Sequence, residues 1–111
     1  MEVILLGEIR AILVRIDSEL DHHIAGYIRE AADGRIRSTN AVNVIFDFSN
    51  VSFMDSSGIG MIMGRYKAVK VLGGKVILFG LNMQIRRIIE MSGINKIVTI
   101  ADTFEDAVRM L

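Results

Sequence analysis

Two adjacent serines, Ser56 and Ser57, are the side chains in this sequence whose setting best suits regulated chemistry. They lie in the polar run 54–60, between an apolar segment at 43–48, which predicts a buried strand, and a segment at 59–72, which predicts a helix. The first turn of a helix has free backbone N–H groups and a partial positive charge, so it tolerates an added anion. We therefore interpret this run as the site of a phosphorylation switch.

The same run has a plainer interpretation, in which the turn Asp55-Ser56-Ser57-Gly58 only caps the helix. For a single turn this interpretation is favoured about two to one. The next helix changes the balance, because glycine costs about 1 kcal/mol relative to alanine inside a helix. One stripe beside the serines consists of small residues and a methionine: Gly60, Met61, Gly64 and Ala68. Such a stripe suits close approach, either by an internal element or by a partner.

Other chemistries receive weaker support from the residues. The glycines at 58, 60 and 64 match neither the P-loop nor the dinucleotide-binding fingerprint. His22 and His23 are neighbours on a predicted helix and point in different directions, so we expect no metal site there. Ser56 could form a triad with either histidine and Asp21, but its turn is not the Gly-x-Ser-x-Gly elbow. A small serine hydrolase is therefore kept as a distant alternative.

Hydrophobic patterning predicts an α/β fold with the order β-β-α-β-α-β-α-β-α. The predicted strands are 3–6, 9–16, 42–48, 75–79 and 96–100. The first predicted helix follows Ser18–Asp21. Its apolar residues at helical spacing are Ile24, Tyr27, Ile28 and Ala31, and residues typical of a helix end lie at 33–34 and 38–40.

Three further helices are predicted. The second spans 57–72, and the third is capped by Asn82 and ended by Gly93. The last runs to Leu111, with Asp102 and Glu105 as a capping box.

This order predicts right-handed crossovers and a mostly parallel sheet. In such a sheet the loops that follow the strands gather at one edge, where function usually lies. The loops that contain Asp21 and Ser56 follow consecutive strands. We therefore expect these two loops to lie near each other.

Composition limits the class of protein. The 111 residues form one predicted domain, 1–111, and its 13 basic and 13 acidic residues include no basic block, so we expect no direct nucleic-acid contact. There is no cysteine, which excludes disulfides and fits a reducing cytoplasm. No apolar run reaches the roughly 18–20 residues that span a bilayer, and no signal-type segment is present. We expect a cytoplasmic protein that does not contact a membrane.

Four segments together resemble one known family. They are Glu-Leu-Asp-His-His at 19–23, Ser-Phe-Met-Asp-Ser-Ser-Gly at 52–58, Gly-Arg-Tyr-Lys at 64–67 and Met-Ser-Gly at 91–93. In this order and spacing they resemble the STAS-domain anti-sigma factor antagonists, most closely the sporulation type that acts on the anti-sigma F factor. The resemblance covers essentially the whole chain. It implies a single STAS domain with a five-stranded sheet and four helices, and a protein that is not an enzyme.

The resemblance also implies a mechanism. The unphosphorylated antagonist binds an anti-sigma factor that is a serine kinase, and a sigma factor is released for transcription. The kinase uses ATP to phosphorylate the first serine of the motif, here Ser56, which ends the interaction. A PP2C-type phosphatase reverses the modification. No bound cofactor is implied, with weak nucleotide binding only a minor expectation.

The predicted docking surface surrounds Ser56, and Asp21 is expected beside that serine. Its predicted members are Asp21, Asp55, Ser57, Gly58, Gly60, Met61, Gly64 and Arg65. A STAS module of a general-stress or stressosome-like circuit is the main alternative to the sporulation assignment.

Overall fold

Five strands form one sheet in the order β1-β2-β3-β4-β5 in the computed structural model, which describes residues 1–111. The strands are β1 Glu2–Leu6, β2 Ala11–Arg15, β3 Asn43–Asp47, β4 Val76–Phe79 and β5 Thr99–Ala101. β1 is antiparallel to β2, and every other neighbouring pair is parallel. The predicted mostly parallel sheet is confirmed.

Four helices connect and cover these strands. They are α1 His22–Ser38, α2 Ser56–Lys70, α3 Met83–Ser92 and α4 Phe104–Arg109. Short 3₁₀ turns lie at Gly7–Ile9 and Ile94–Lys96. The predicted order of strands and helices is therefore correct throughout.

Alternation along the strands separates two cores on opposite faces of the sheet, because successive side chains of a strand point to opposite faces. On the first face, Val44 and Phe46 of β3 pack with apolar residues of α1, α2 and α3. On the second face, Ile45 and its neighbours Leu13 and Ile77 pack with residues of α4. Three helices therefore cover one face, and one short helix covers part of the other.

Several predicted boundaries are wrong, each for a local reason. β2 starts at Ala11 rather than residue 9, because Gly7–Ile9 forms a 3₁₀ turn and Arg10 has a left-handed φ of 52°. β5 starts at Thr99 rather than residue 96, because Ile94–Lys96 forms a second 3₁₀ turn. α4 is capped by Thr103, whose hydroxyl accepts from the Asp106 N–H, and not by Asp102 with Glu105.

The first helix also departs from its prediction. α1 continues through residues 33–34 to Ser38, because neither Asp33 nor Gly34 has to leave the helical conformation. Ala25, Ile28 and Ala32 form its buried side, whereas Tyr27 is 66% exposed. Tyr27 therefore does not belong to the core stripe that its spacing predicts.

Candidate functional site

The segments that lead into α1 and α2 run side by side. Leu20 and Met54 form an isolated parallel β-bridge. The Leu20 N–H donates to the Phe53 carbonyl at 2.9 Å, and the Asp55 N–H donates to the Leu20 carbonyl at 3.2 Å. This pairing extends the sheet edge beyond β2 and β3, and it holds the Asp21 loop against the Ser56 loop, as the topology predicts.

An aspartate caps each of the two helices that start at this edge. The Asp21 carboxylate accepts from the Ile24 N–H at 3.0 Å, and the Asp55 carboxylate accepts from the Ser57 N–H at 2.8 Å. Each carboxylate satisfies a free N–H of the first turn and complements the helix dipole. Two negative charges therefore lie at adjacent helix N-termini.

Ser56 is the first residue of α2 and is exposed, whereas Ser57 is half-buried. The cap of α2 is formed by Asp55, so neither serine hydroxyl is needed to satisfy the first turn. The turn therefore does cap α2, as its plainer interpretation predicts, and the capping side chain is Asp55 rather than either serine. Ser56 therefore lies at the surface and takes no part in the cap.

Gly58 allows α2 to start close to the preceding loop. A Cβ at this position would collide with the Cγ and Sδ atoms of Met54 and would lie 3.2 Å from Cδ2 of Leu20. Met54 and Leu20 are themselves buried, so neither can move away at low cost. Gly58 thus holds Ser56 at its position by permitting this contact.

Gly60 and Gly64 have a different environment. A Cβ at either residue would meet no atom within 4 Å. Internal packing therefore does not require glycine at these positions, which was one of the two explanations for the small-residue stripe. The open space leaves room beside these residues for a larger side chain or an external group.

Arg65 is buried and contacts α1. Its side chain is 7% exposed, and its Nε lies 3.0 Å from Oδ1 of Asp33, which is 28% exposed. Burial lowers the pKa of Arg65 from its ordinary value; the Asp33 carboxylate opposes this shift and nearby Arg29 adds to it. The prediction that Arg65 belongs to an exposed docking face is corrected, because the guanidinium is turned inward to Asp33.

The structure brings most of the predicted site residues together, but at different depths. Asp21, Asp55 and Ser57 are partly exposed around the exposed Ser56. Gly60 is exposed and Gly64 half-buried on α2. The buried members, Gly58, Met61 and Arg65, support this surface from beneath and do not form its outer layer.

Sequence reasoning missed two exposed apolar side chains, one in the loop before α2 and one at the start of α3. Phe53 is 42% exposed and lies in the loop before Ser56, and Met83 is 72% exposed at the start of α3. Asn82 joins the two segments, because its Nδ2 donates to the Val51 carbonyl at 3.2 Å. Their exposure depends on how the elements pack, so no local sequence pattern identifies it.

The geometry gives no support to serine hydrolysis or a metal centre. The Asp21 carboxylate is engaged with the backbone of α1, and no hydrogen bond joins Ser56 to His22 or His23. No three His, Asp or Glu side chains converge as metal ligands. None of the helices has the length and apolar character required to cross a bilayer.

Residues 4–107 match the model of the STAS domain. The chain is 36% identical to the anti-sigma F factor antagonist of Paenibacillus polymyxa over 100 residues, which cover 90% of this chain and 86% of that protein. It is 30% identical to the anti-sigma-B factor antagonist of Bacillus subtilis, with 88% of each chain covered.

Solved structures agree with these relationships. The anti-sigma factor antagonist SpoIIAA in its unphosphorylated form superposes with a TM-score of 0.86 at 28% identity, covering 98% of this chain and 93% of that one. The phosphorylated form of the Bacillus cell fate determinant SpoIIAA gives a TM-score of 0.76 at 28% identity, with 98% and 96% covered. The STAS match, the identities and these superpositions agree on one assignment. This chain belongs to the STAS domain family and, within it, to the anti-sigma factor antagonists.

Proposed function

We propose that this antagonist binds an anti-sigma factor that is also a serine kinase, and that phosphorylation of Ser56 switches this binding off. The single observation that supports the switch is the arrangement at the start of α2. Ser56 is exposed in the first turn, while Asp55 alone forms the cap. A phosphate on Ser56 therefore changes the surface without removing an interaction that the fold needs.

The charge of the site explains how one phosphate would act. A phosphoserine carries about −1.5 to −2 charges near neutral pH and three strong acceptor oxygens. Within the free protein, the N-terminus of α2 tolerates this charge. In a complex the phosphate would be desolvated beside the Asp21 and Asp55 carboxylates. Like-charge contact at an interface costs several kcal/mol, and each 1.4 kcal/mol is about tenfold in affinity.

The surface around Ser56 supports a protein partner. It combines charged loops with the exposed side chain of Phe53 and with the open face at Gly60. Apolar anchors within a polar rim are typical of protein interfaces. In this proposal the chain itself catalyses nothing, the kinase supplies ATP, and a PP2C-type phosphatase restores the unmodified form in the cytoplasm.

The deciding experiment measures binding and transfer separately. Affinity for an anti-sigma F-type kinase is measured by calorimetry for the wild type, Ser56→Ala and Ser56→Asp. We expect Ser56→Ala to bind like the wild type and Ser56→Asp to bind at least about 100-fold more weakly. Mass spectrometry after incubation with the kinase and ATP should place one phosphate on Ser56 and none on Ser56→Ala.

Ser56→Asn is the matched control, because it has nearly the shape of Ser56→Asp without the charge, and it should bind like the wild type. Retained full affinity of Ser56→Asp, with its fold intact by circular dichroism, would contradict a charge-based switch. Phosphate transfer to Ser57 of the wild type would contradict the assignment of the switch to Ser56.

The similarity to anti-sigma-B factor antagonists favours a second candidate, a general-stress circuit with the same switch chemistry. A pull-down with anti-sigma F-type and anti-sigma-B-type kinases in parallel separates the two circuits. Recovery of a large assembly with neither kinase would instead indicate a stressosome-like scaffold.

A further inference from the structure

The charged side chains are divided between the two ends of the strands. β2 to β5 are parallel, so their first residues lie at one edge of the sheet and their last residues at the other. Helices α1, α2 and α3 each return the chain from the end of one strand to the start of the next. We call the edge where β2–β5 begin the opening edge, and the edge where they end, which carries Ser56, the closing edge.

Unpaired cations collect at the opening edge. In the segments that precede the four parallel strands, 7–10, 37–42, 67–75 and 93–98, Glu8 is the only carboxylate. Helix dipoles favour cations in the last turns of α1 and α2, but half of the cations lie outside the α-helices. The exposed cations that form no ion pair here are Arg10, Arg37, Lys67, Lys70, Lys75 and Lys96.

The turn between α2 and β4 presents apolar side chains within this positive charge. Val71 is 83% exposed and Leu72 is 49% exposed. The Leu72 and Gly74 N–H groups both donate to the Val69 carbonyl at 2.9 Å, so the backbone of the turn is held in one arrangement. Neighbouring apolar side chains exposed in an ordered turn, with lysines around them, are typical of a surface that binds a protein.

The closing edge has the opposite charge. Arg15, the one cation that ends a strand, is already paired with Glu2 and Asp47. The exposed side chain of Phe53 lies at this edge, in the loop before α2. The carboxylates that form no ion pair here are Glu19, Asp21, Asp55, Asp102 and Glu105.

The two edges of one chain are therefore complementary in charge, and each has exposed apolar side chains. We propose that the opening edge of one copy of this protein docks on the closing edge of a second copy, with Val71 and Leu72 on the side that meets Phe53. The formal net charge is zero, so no overall repulsion opposes the approach of two copies. Because the two surfaces differ, the contact is head-to-tail and leaves one free edge at each end of the assembly.

This contact covers the edge that carries Ser56. Self-association therefore competes with the kinase binding proposed above, but it does not depend on modification of Ser56 and stands if that switch is wrong. Ser56→Asp adds a negative charge to the closing edge, so it should strengthen self-association by about two- to fivefold. This effect is opposite in sign to the expected effect of Ser56→Asp on kinase affinity.

Sedimentation velocity over a range of protein concentrations tests the contact. It compares about 20 mM with about 300 mM sodium chloride, because added salt screens exposed charges. We expect the average mass to rise with concentration at the lower salt and to return to that of the monomer at the higher. A monomer at both salt concentrations would overturn the proposal. Binding of polyglutamate by that monomer would assign the opening edge to an acidic segment of another protein.

Charge reversal locates the contact. Lys67→Glu combined with Lys70→Glu should weaken self-association about tenfold or more. The matched control, Arg86→Glu combined with Arg87→Glu, makes the same change of net charge on the exposed side of α3 and should associate more strongly than the lysine variant. Equal weakening by both pairs would show an effect of net charge alone and overturn the assignment to the opening edge.

A charge exchange between two variants tests the pairing of the edges. Glu19→Lys combined with Asp102→Lys reverses two closing-edge charges that neither cap a helix nor form an ion pair. This variant should associate weakly alone, and mixing it with the lysine variant should restore association. Val71→Ser should weaken the wild-type contact about threefold or more without a change of charge. Failure of the mixture to associate would contradict the head-to-tail pairing.

Discussion

At the scale of single residues, the two aspartates at the sheet edge and the one beside Arg65 perform different tasks. Asp21 and Asp55 cap helices, so their charges lie where a first turn needs an acceptor. Asp33 instead lies in the middle of α1 and faces Arg65 of α2. All three residues are aspartates, but their contributions to stability differ because only Asp33 compensates a buried charge.

Loss of Asp33 and loss of Arg65 from their ion pair should lower the free energy of unfolding by different amounts. Asp33→Asn leaves the buried guanidinium uncompensated next to Arg29, and should lower the free energy of unfolding by about 2 kcal/mol. Arg65→Met removes the buried charge and retains much of the side-chain volume, so the loss should be about 1 kcal/mol or less. Urea denaturation of both variants measures this difference.

Glu90→Gln is the control for this comparison. It breaks the exposed pair of Glu90 with Arg86 and should change stability by less than about 0.5 kcal/mol. If Arg65→Met were the more destabilising of the two buried variants, packing of the arginine stem rather than charge compensation would dominate at this contact.

At the scale of elements, α2 has to satisfy two conditions at once. Its first turn lies tightly against the loop at Met54, and its following turns leave open space at Gly60 and Gly64. The tight end fixes the position of Ser56, and the open face allows an external group to approach. Glycine is used in both places, but for opposite reasons.

Alanine substitutions at two of these glycines should therefore have opposite effects on stability. Gly60→Ala should raise the free energy of unfolding by up to about 1 kcal/mol, because alanine favours the helix and meets no neighbour. Gly58→Ala should lower it by about 1 kcal/mol or more, because its methyl group overlaps Met54. Thermal unfolding of both variants gives the signs.

A partner-binding measurement on Gly60→Ala adds a functional criterion. If the open face is used for docking, Gly60→Ala should weaken affinity for the kinase despite its higher stability. Gly64→Ala serves as the comparison farther from Ser56. Unchanged affinity for Gly60→Ala would exclude that glycine from the interface.

At the scale of the whole molecule, the two faces of the sheet contribute unequally to the core. The face under α1, α2 and α3 carries a cluster of 22 buried residues, and the face under α4 carries a cluster of 7. The site belongs to the larger core, because both of its helices pack there. The position of Ser56 is thus supported by the more extensive of the two clusters.

Truncation of a phenylalanine in the larger cluster and of one packed against the smaller cluster should reveal this asymmetry. Phe46 is fully buried in the larger core, and Phe46→Ala should cost about 3–5 kcal/mol. Phe104 is half-buried and packs on Phe79 with ring centroids 6.0 Å apart, so Phe104→Ala should cost about 1–2 kcal/mol. Equilibrium urea unfolding measures both, and equal losses would contradict the proposed difference between the cores.

Much of this architecture can be predicted from the chain alone, because apolar periodicity and local capping chemistry act over short distances. Strand alternation, the order of elements and the cap at Asn82 follow from such local signals. The boundaries that were wrong, at Arg10, Ile94–Lys96 and Thr103, are set by 3₁₀ turns and competing caps of similar energy. Local patterns do not distinguish such alternatives.

The sequence by itself determined the fold class, the family motif around Ser56 and the proximity of the Asp21 loop, because parallel strands bring their following loops to one edge. Only the tertiary structure decided the depth of each side chain. It placed Arg65 inward against Asp33, left open space at Gly60 and joined the Asn82 side chain to the Val51 carbonyl. The physical reason is that burial depends on which helix faces pack together, and those contacts join residues that are far apart in the chain.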